Sequence, residues 1–423
     1  MREMKDSGNP WVGNIPKNWQ IIPLKYIIKY NTSTLTDAMP CDYEFDYVDI
    51  GSVTYGKGIE QFQRMEFKDA PLRARRVVEC GDVILSTVRT YLKAVAAIPQ
   101  HDYPIVVSTG FVVMKALDNT DSGFLKYAVQ SDSFVSDIEA RSYGVSYPAI
   151  NASDAVRTSI PLPSIDEQKI IAQFLDSKCA EIDALSNDIQ SEIDTLEAYK
   201  RSVITEAVTK GLDKNAPMKD SGIEWVGEIP EHCNVDKGKY CLDYVQKPTK
   251  PDDDVITCFR DGEVTLRRNR REEGFTISLK EIGYQGIDVG DLIVHGMDGF
   301  AGAIGISDSR GKASPVLNVL DTSNNKRYVM YYLRSLAFNG VFLALATGIR
   351  VRTCDTNWGK LRELLYVLPP KQEQDEIVAF IDDRLNATDE IIAQKQEQLA
   401  VLAEYKKSVI YEYVTGKKEV PVA

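Results

Sequence analysis

The chain is written twice, and this repetition limits its fold more than any single motif. Residues 4–16 read MKDSGNPWVGNIP and residues 218–230 read MKDSGIEWVGEIP, with ten of thirteen positions identical at an offset of 214. Residues 161–168, PLPSIDEQ, return as VLPPKQEQ at 367–374, an offset of 206. Tyr199-Lys200-Arg201-Ser202-Val203-Ile204 returns as Tyr405-Lys406-Lys407-Ser408-Val409-Ile410 at the same offset of 206. Shared order and spacing exclude a chance recurrence of common helix phrases. Each half therefore runs from a short opening motif through a long variable stretch to a proline-marked boundary and a long charged helix. The segments are 1–160, 161–215, 216–366 and 367–423.

The variable stretches resemble each other weakly, yet share a plan. Gly81-Asp82-Val83-Ile84-Leu85-Ser86 and Gly290-Asp291-Leu292-Ile293-Val294-His295 each place a turn before a β-rich run, which predicts a buried strand. Helical segments follow near 124–140 and 328–345, then glycine-containing loops at 142–148 and 347–354. Each stretch reads as one mixed α/β domain.

Pro163 and Pro369-Pro370 suit helix starts just after them. The predicted helices run from Asp166 to Lys210 and from Gln372 to Thr415. Ile182, Leu185, Ile189, Leu196, Tyr199 and Val203 fall at alternating three- and four-residue spacing, a seam broken by Glu192. Ile391, Leu399, Leu402, Tyr405 and Val409 give the second helix a similar stripe. At about 1.5 Å per residue each helix is roughly 65 Å long, longer than a domain is wide. Packing of the two on each other is the simplest use of the matching stripes.

Several classes of function are absent at the level of motif. There is no P-loop: Gly311-Lys312-Ala313 lacks the hydroxyl and the upstream glycine. Glycine-rich 296–305 fits no dinucleotide pattern and reads as a tight strand connection. No Asn/Asp-Pro-Pro-aromatic methyltransferase motif occurs. Asp166-Glu167 reads as dipole-favoured acids at a helix start, and Pro251-Asp252-Asp253-Asp254 as a solvated acidic loop. His232, Cys233 and Cys241 match no zinc spacing, and the seven scattered cysteines suit a reducing cytoplasm. No secretory leader and no membrane-spanning apolar run is expected. The chain is expected to be non-catalytic, with no catalytic residue and no metal site.

Candidate binding residues are clearer. Arg73, Arg75 and Arg76 form a basic run, followed by Arg89 and Lys93, with Tyr143, Ser146 and Tyr147 around Gly144 in the later loop, where packing is an equal reading for the two tyrosines. The second domain offers Arg267, Arg268, Arg270 and Arg271, then His295, Arg350 and Arg352. Arginine presents planar bidentate donors that match phosphate and the O6/N7 edge of guanine. Arg350-Val351-Arg352 alternates in strand fashion, with both arginines on one face. For the Arg267–Arg271 run a solvated basic face beside Glu272-Glu273 remains the other reading.

Net charge, at −12 with 62 acidic and 50 basic residues, opposes a nucleic-acid binder only as a whole-chain number. Residues 165–212 hold ten acidic and five basic residues, and 370–417 hold ten and six. The helices therefore carry −9 of the −12, and the variable domains are near neutral.

The repeated opening motifs, the Leu162–Gln168 and Leu368–Gln374 helix starts, the Tyr-Lys-Arg/Lys-Ser-Val-Ile phrases and the Val208-Thr209-Lys210-Gly211-Leu212 close resemble the specificity subunit of type I restriction–modification systems over essentially the full length. The match departs at His232-Cys233, where the first half has Asn18-Trp19, and at Thr415-Gly416-Lys417. The resemblance implies an α+β protein: two target recognition domains separated by two long helices in an antiparallel coiled coil with pseudo-two-fold repetition. It implies double-stranded DNA, two methylation subunits and restriction subunits as partners. S-adenosylmethionine, ATP and magnesium would sit on those partners and no cofactor on this chain. A stand-alone DNA-binding regulator or a coiled-coil scaffold are the competing functions.

Overall fold

A computed structural model describes residues 2–270, 281–345 and 356–421. The chain forms two compact units that cut across the linear segments: residues 1–189 with 397–423, and residues 190–396. Each unit holds one variable domain and half of each long helix.

In the first unit the opening motif is a hairpin, Met4–Asp6 against Asn14–Pro16. The Asp6 carboxylate accepts the Gly8 N–H at 3.0 Å, and Gly8 takes a left-handed φ of 70°. Gln20–Pro23 pairs with Ser159–Leu162, tying the two ends of the variable domain together. Between them lie two four-stranded sheets. One has the order Val95–Ala97, Val83–Ser86, Phe111–Ala116, Ile28–Tyr30, all antiparallel. The other has Gln63–Glu66, Glu44–Val48, Ile105–Ser108, Ala74–Val78, with a parallel central pair. Gly81, at φ 88°, makes the turn into Val83–Ser86, whose four residues are all buried. The predicted helix at 124–140 is two helices, Ser122–Gln130 and Asp132–Ala140. Ser131 between them is extended and donates to the Ala128 carbonyl at 2.7 Å, so the first helix ends there.

The second unit repeats the hairpin, the strand pair that ties the ends and one four-stranded sheet, while Ile256–Cys258 with Val264–Leu266 and Gln285–Ile287 with Gly311–Ala313 form separate two-stranded pairs. Met218–Asp220 pairs with Glu228–Pro230, and Asn234–Lys237 with Leu365–Leu368. Its main sheet runs Asp243–Tyr244, Leu317–Asp321, Leu292–His295, Ile304–Ile306. The helical segment is again split, into Lys326–Phe338 and Val341–Ala344, at Gly340 with φ 71°. Asp253 is buried, not solvated: it accepts two bonds from Arg310, at 2.9 and 3.1 Å. Cys233 and Cys241 lie in the apolar core, while His232 bonds Glu373 at 2.6 Å.

The long helices span Ile165–Lys210 and Lys371–Val414, within one residue of expectation. They pack antiparallel in both units. Phe174 meets Tyr413 (ring centroids 4.5 Å apart) and Asp183 meets Lys406 at 2.7 Å in the first. Glu192 meets Lys395, and Lys200 meets Asp389 at 2.6 Å, in the second. The seam differs from the sequence expectation. Leu185, Tyr199, Ile391 and Tyr405 are 49, 46, 44 and 47% exposed, whereas Ile193 and Ile392 are buried in their stead. The helices also pack on their domains, so the buried stripe is wider than a two-helix seam.

The repeated Glu-Gln at the helix starts has a structural reason. Gln168 donates to the carbonyls of Pro163 and Asn119 and accepts the Asp121 N–H at 2.8 Å. Gln374 donates to Pro369 O and Asn324 Oδ1 and accepts the Asn325 N–H at 2.9 Å. Asp121 and Asn325 are the N-caps of the main domain helices. Each glutamine therefore fastens the start of a long helix to the start of a domain helix, and both are buried.

Candidate nucleic-acid interface

In the first unit, five of the predicted residues come together on two stitched loops. Val83–Ser86 leads into residues 87–93, where Arg89 (φ 52°) and Lys93 (φ 50°) flank the short 3-10 turn Thr90–Leu92 in left-handed conformations. Non-glycine residues adopt this conformation at a cost, and such strain gathers at functional sites. Residues 143–149 form a narrow finger: the Tyr143 and Ala149 backbones exchange both bonds, at 2.8 and 2.9 Å. Gly144 turns the chain at φ 113°. The Ile150 N–H donates to Thr87 O at 2.8 Å and Thr90 N–H to Pro148 O, which ties the two loops side by side.

This finger presents its side chains outward. Tyr143 is 82% and Tyr147 66% exposed, Val145 is fully exposed, and Ser146 is exposed. The Arg89 guanidinium lies over the Tyr147 ring, 5.1 Å from its centroid. Lys93 reaches Glu139 at 3.7 Å. Sequence inspection missed Val88, Tyr91, Leu92 and Val145, which are exposed around the same arginine. Their signal was an apolar and aromatic cluster inside a loop, where burial does not call for one.

The basic run divides. Arg73 continues the rim: its carbonyl accepts the Thr109 N–H, and the adjacent Gly110 carbonyl accepts from Thr87. Its guanidinium donates to Tyr47 Oη at 3.1 Å, a bond that raises its pKa, and lies 3.4 Å from Asp49. Arg75 turns to Asp37 at 3.2 Å and over Phe67. Arg76 has a buried Nε without an acceptor among the described residues, and burial lowers its pKa.

In the second unit the arginine run is held internally. Arg267 donates to Thr257 at 3.0 Å. Arg268 pairs with Asp254 at 2.5 Å, and Arg270 pairs with Asp261 and Glu263 and lies over Phe259. The neutralising acids lie in the segments that flank and connect the strands Ile256–Cys258 and Val264–Leu266. Arg271, Arg350 and Arg352, with Glu272-Glu273, lie outside the described residues. His295 ends the strand that matches Val83–Ser86. Its Nδ1 accepts the N–H groups of Met297 at 3.2 Å and Asp298 at 3.0 Å. The ring proton therefore sits on Nε2, and burial lowers the histidine pKa, so the group is a neutral donor and not a cation. Arg260, held by Asp298 at 2.8 Å, and exposed Met297 are neighbours that sequence inspection missed.

Among the described residues no cluster of three or more metal-ligating side chains occurs, and no helix is long and apolar enough to cross a membrane. The rim of the first unit offers a guanidinium fork, phenol rings and exposed apolar tips on braced loops.

The family model of the type I restriction modification DNA specificity domain matches residues 16–195. The chain is 20% identical over 306 residues to the type I restriction enzyme StySPI specificity subunit of Salmonella potsdam, covering 70% of this chain and 65% of that protein. It is 23% identical over 205 residues to the MjaVIII specificity subunit of Methanocaldococcus jannaschii, covering 47% of each. The chain thus spans less than two thirds of either relative. The putative MjaX specificity subunit of the same organism is 23% identical over 439 residues, 96% of this chain and 95% of that protein. A chain solved in work on complex assembly and conformational transition of the type I R-M system shares the fold, with a TM-score of 0.70, 20% identity and coverage of 96% of this chain and 99% of that one.

Proposed function

We propose that the chain is a type I restriction–modification specificity subunit, the non-catalytic, sequence-reading member of such a complex. Each variable domain reads one half of a split duplex target, and the paired helices fix the spacer between the halves. The observation that carries this is the braced finger at 143–149 with the Arg89 guanidinium over the Tyr147 ring. A B-DNA major groove about 12 Å wide admits a two-stranded ribbon, and arginine with apolar contacts can separate guanine and thymine from other bases.

Docking of two identical methylation subunits suits the exposed apolar pairs that the repeat places once in each unit. These are Leu185 with Tyr405 in the first unit and Ile391 with Tyr199 in the second. Solvent-exposed apolar residues at matching positions are what two copies of one partner would use. Restriction subunits would join that core in the cytoplasm. S-adenosylmethionine, ATP and magnesium would belong to the partners.

Near-neutral domains fit modest affinity at each half-site. A stiff connection raises the effective concentration of the second contact only where the DNA spacing matches. Methylome sequencing with and without the chain tests the proposal. Loss of modification on deletion is expected, and unchanged modification would refute it in favour of a regulator or scaffold. Adding one helical turn to both long helices should change the spacer and leave both half-sites intact.

A further inference from the structure

In the second unit a cavity of about 450 Å3 lies among the first long helix, the helix Lys326–Phe338 and the turn after Ile256–Cys258. Arg201, Arg260, Arg334 and Phe338 line it, with Lys200 and Asp389. The guanidinium groups of Arg201 and Arg334 each lie 5.5 Å from the Phe338 ring centroid, so they are at most twice that distance apart.

The acids that line the cavity pair with cations other than Arg201 and Arg334. Asp389 and Glu197 hold Lys200 at 2.6 and 3.5 Å, and Asp261 holds Arg270 at 2.7 Å. Arg260 is held by Asp298. Among the described residues no carboxylate lies within ion-pairing distance of Arg201 or Arg334.

Arg334 is built into its place. It donates to the Asp261 carbonyl at 2.7 Å. Gly262, at φ 95°, makes room: a Cβ there would come within 2.8 Å of the guanidinium carbon. Its Nε is buried with no acceptor among the described residues. A desolvated cation with no carboxylate in direct contact is unfavourable, and the planar donor fork is the group best matched to a tetrahedral oxyanion.

The first unit supplies an internal control. The helix positions 206 residues on, Lys406 and Lys407, line a mostly apolar cavity of about 240 Å3. The ion pair is kept, as Lys406–Asp183, but the counterpart of Arg201 is neutralised: Lys407 pairs with Glu404 at 2.6 Å. Among the described residues, Arg201 in the second unit has no such carboxylate partner.

We infer that the cavity of the second unit binds a phosphate-class oxyanion held jointly by Arg201 and Arg334. The anion is either free in solution or a backbone phosphate of bound DNA, and the second source rests on the function proposed above. The test is calorimetric titration of the full chain with inorganic pyrophosphate, together with DNA-binding isotherms over a salt series. The variants are Arg201→Gln, Arg334→Gln and, as control, Lys407→Gln.

Saturable pyrophosphate binding that Arg201→Gln and Arg334→Gln weaken at least about tenfold, and Lys407→Gln leaves alone, establishes a free-anion site. No pyrophosphate binding, but a salt slope lowered by about one in Arg201→Gln and unchanged in Lys407→Gln, establishes a backbone phosphate as the source. Absence of both effects overturns the inference. If Arg334→Gln fails to fold, the exposed Arg201 decides alone. Wild-type chain that binds pyrophosphate but, with the methylation subunits supplied, no DNA would sink the proposed function and leave the anion site standing.

Discussion

Replacing Arg89 with glycine should separate stability from recognition. Arg89 sits at φ 52° and ψ 50°, a conformation that costs a non-glycine residue about 1 kcal/mol. Glycine removes that strain but adds freedom to the unfolded chain, an opposing term of about 0.5–1 kcal/mol. The contact with Tyr147 is exposed, and its loss should cost about 0.5 kcal/mol. The net change in unfolding free energy should therefore stay within about 1 kcal/mol of zero. Arg89→Ala keeps the strain and loses the contact, so it should be the less stable of the two. A lost bidentate base contact is worth about 1–3 kcal/mol, roughly 5- to 150-fold in affinity for the correct half-site. Urea denaturation of each variant, and fluorescence anisotropy on duplexes altered in one half-site with the methylation subunits supplied, measure the two effects. Arg89→Gly destabilised by more than about 2 kcal/mol would mean that the arginine is a structural tie. Wild-type stability with unchanged selectivity would mean that it reads nothing. A uniform loss across sequences with a shallower salt slope would assign it to phosphate.

Three further outcomes are expected. Tyr199→Ala combined with Tyr405→Ala should alter the stability of the isolated chain by less than about 1 kcal/mol, since both rings are half exposed. It should weaken co-purification of methylation subunits at least tenfold by the reasoning on exposed aromatic anchors, and intact assembly would count against that docking face. Arg310→Ala removes the partner of buried Asp253 and one of two cations on Asp288, whose pKa those cations hold at about 2. It should cost about 2–3 kcal/mol, read as a lowered denaturation midpoint, and a loss below about 0.5 kcal/mol would refute the role of that network. His295, its pKa lowered by burial, stays neutral in the fold while the unfolded chain protonates below about pH 6.5. Its share of stability is complete above that pH and is lost as pH falls toward the folded pKa. His295→Gln should flatten this limb of the stability profile, and an unaltered limb would exclude the histidine as its source.

Much of the frame was legible because its signals are local. Prolines and repeated acids located the long helices to within one residue, and Gly-Asp turns located the buried strands at Val83–Ser86 and Leu292–His295. The helix seam was half legible. Heptad spacing selects a two-helix stripe, but both helices also bury side chains against a domain, which exchanges Ile193 for Leu185 and Ile392 for Ile391. The break at Ser131 was hidden because Ser131-Asp132 reads equally as a polar interior or as a cap. Arginine runs proved a poor guide to the rim. Arg268 and Arg270 are neutralised by Asp254, Asp261 and Glu263, residues that only tertiary folding brings to them. Arg89 drew no more attention in sequence than its neighbours, and its strained backbone and its ring contact set it apart only in the fold.

The core of the first unit contains Val12, Ile15 and Trp19 together with Val409, Ile410, Tyr413 and Val414. During synthesis the second of these groups leaves the ribosome after the first. Residues 190–396 make up the whole of the other unit, so the domain begun first is finished second. At about 5–20 residues per second the wait is roughly 10–40 s. Through that interval Trp19, wholly buried in the finished fold, has no complete pocket. A chain stopped at Gln396 would keep the later unit intact and open the earlier one. On the function proposed above, damage near residue 410 should therefore be felt in the half-site assigned to the first variable domain, and nascent chains are exposed to aggregation and proteolysis longer through the first unit than through the second.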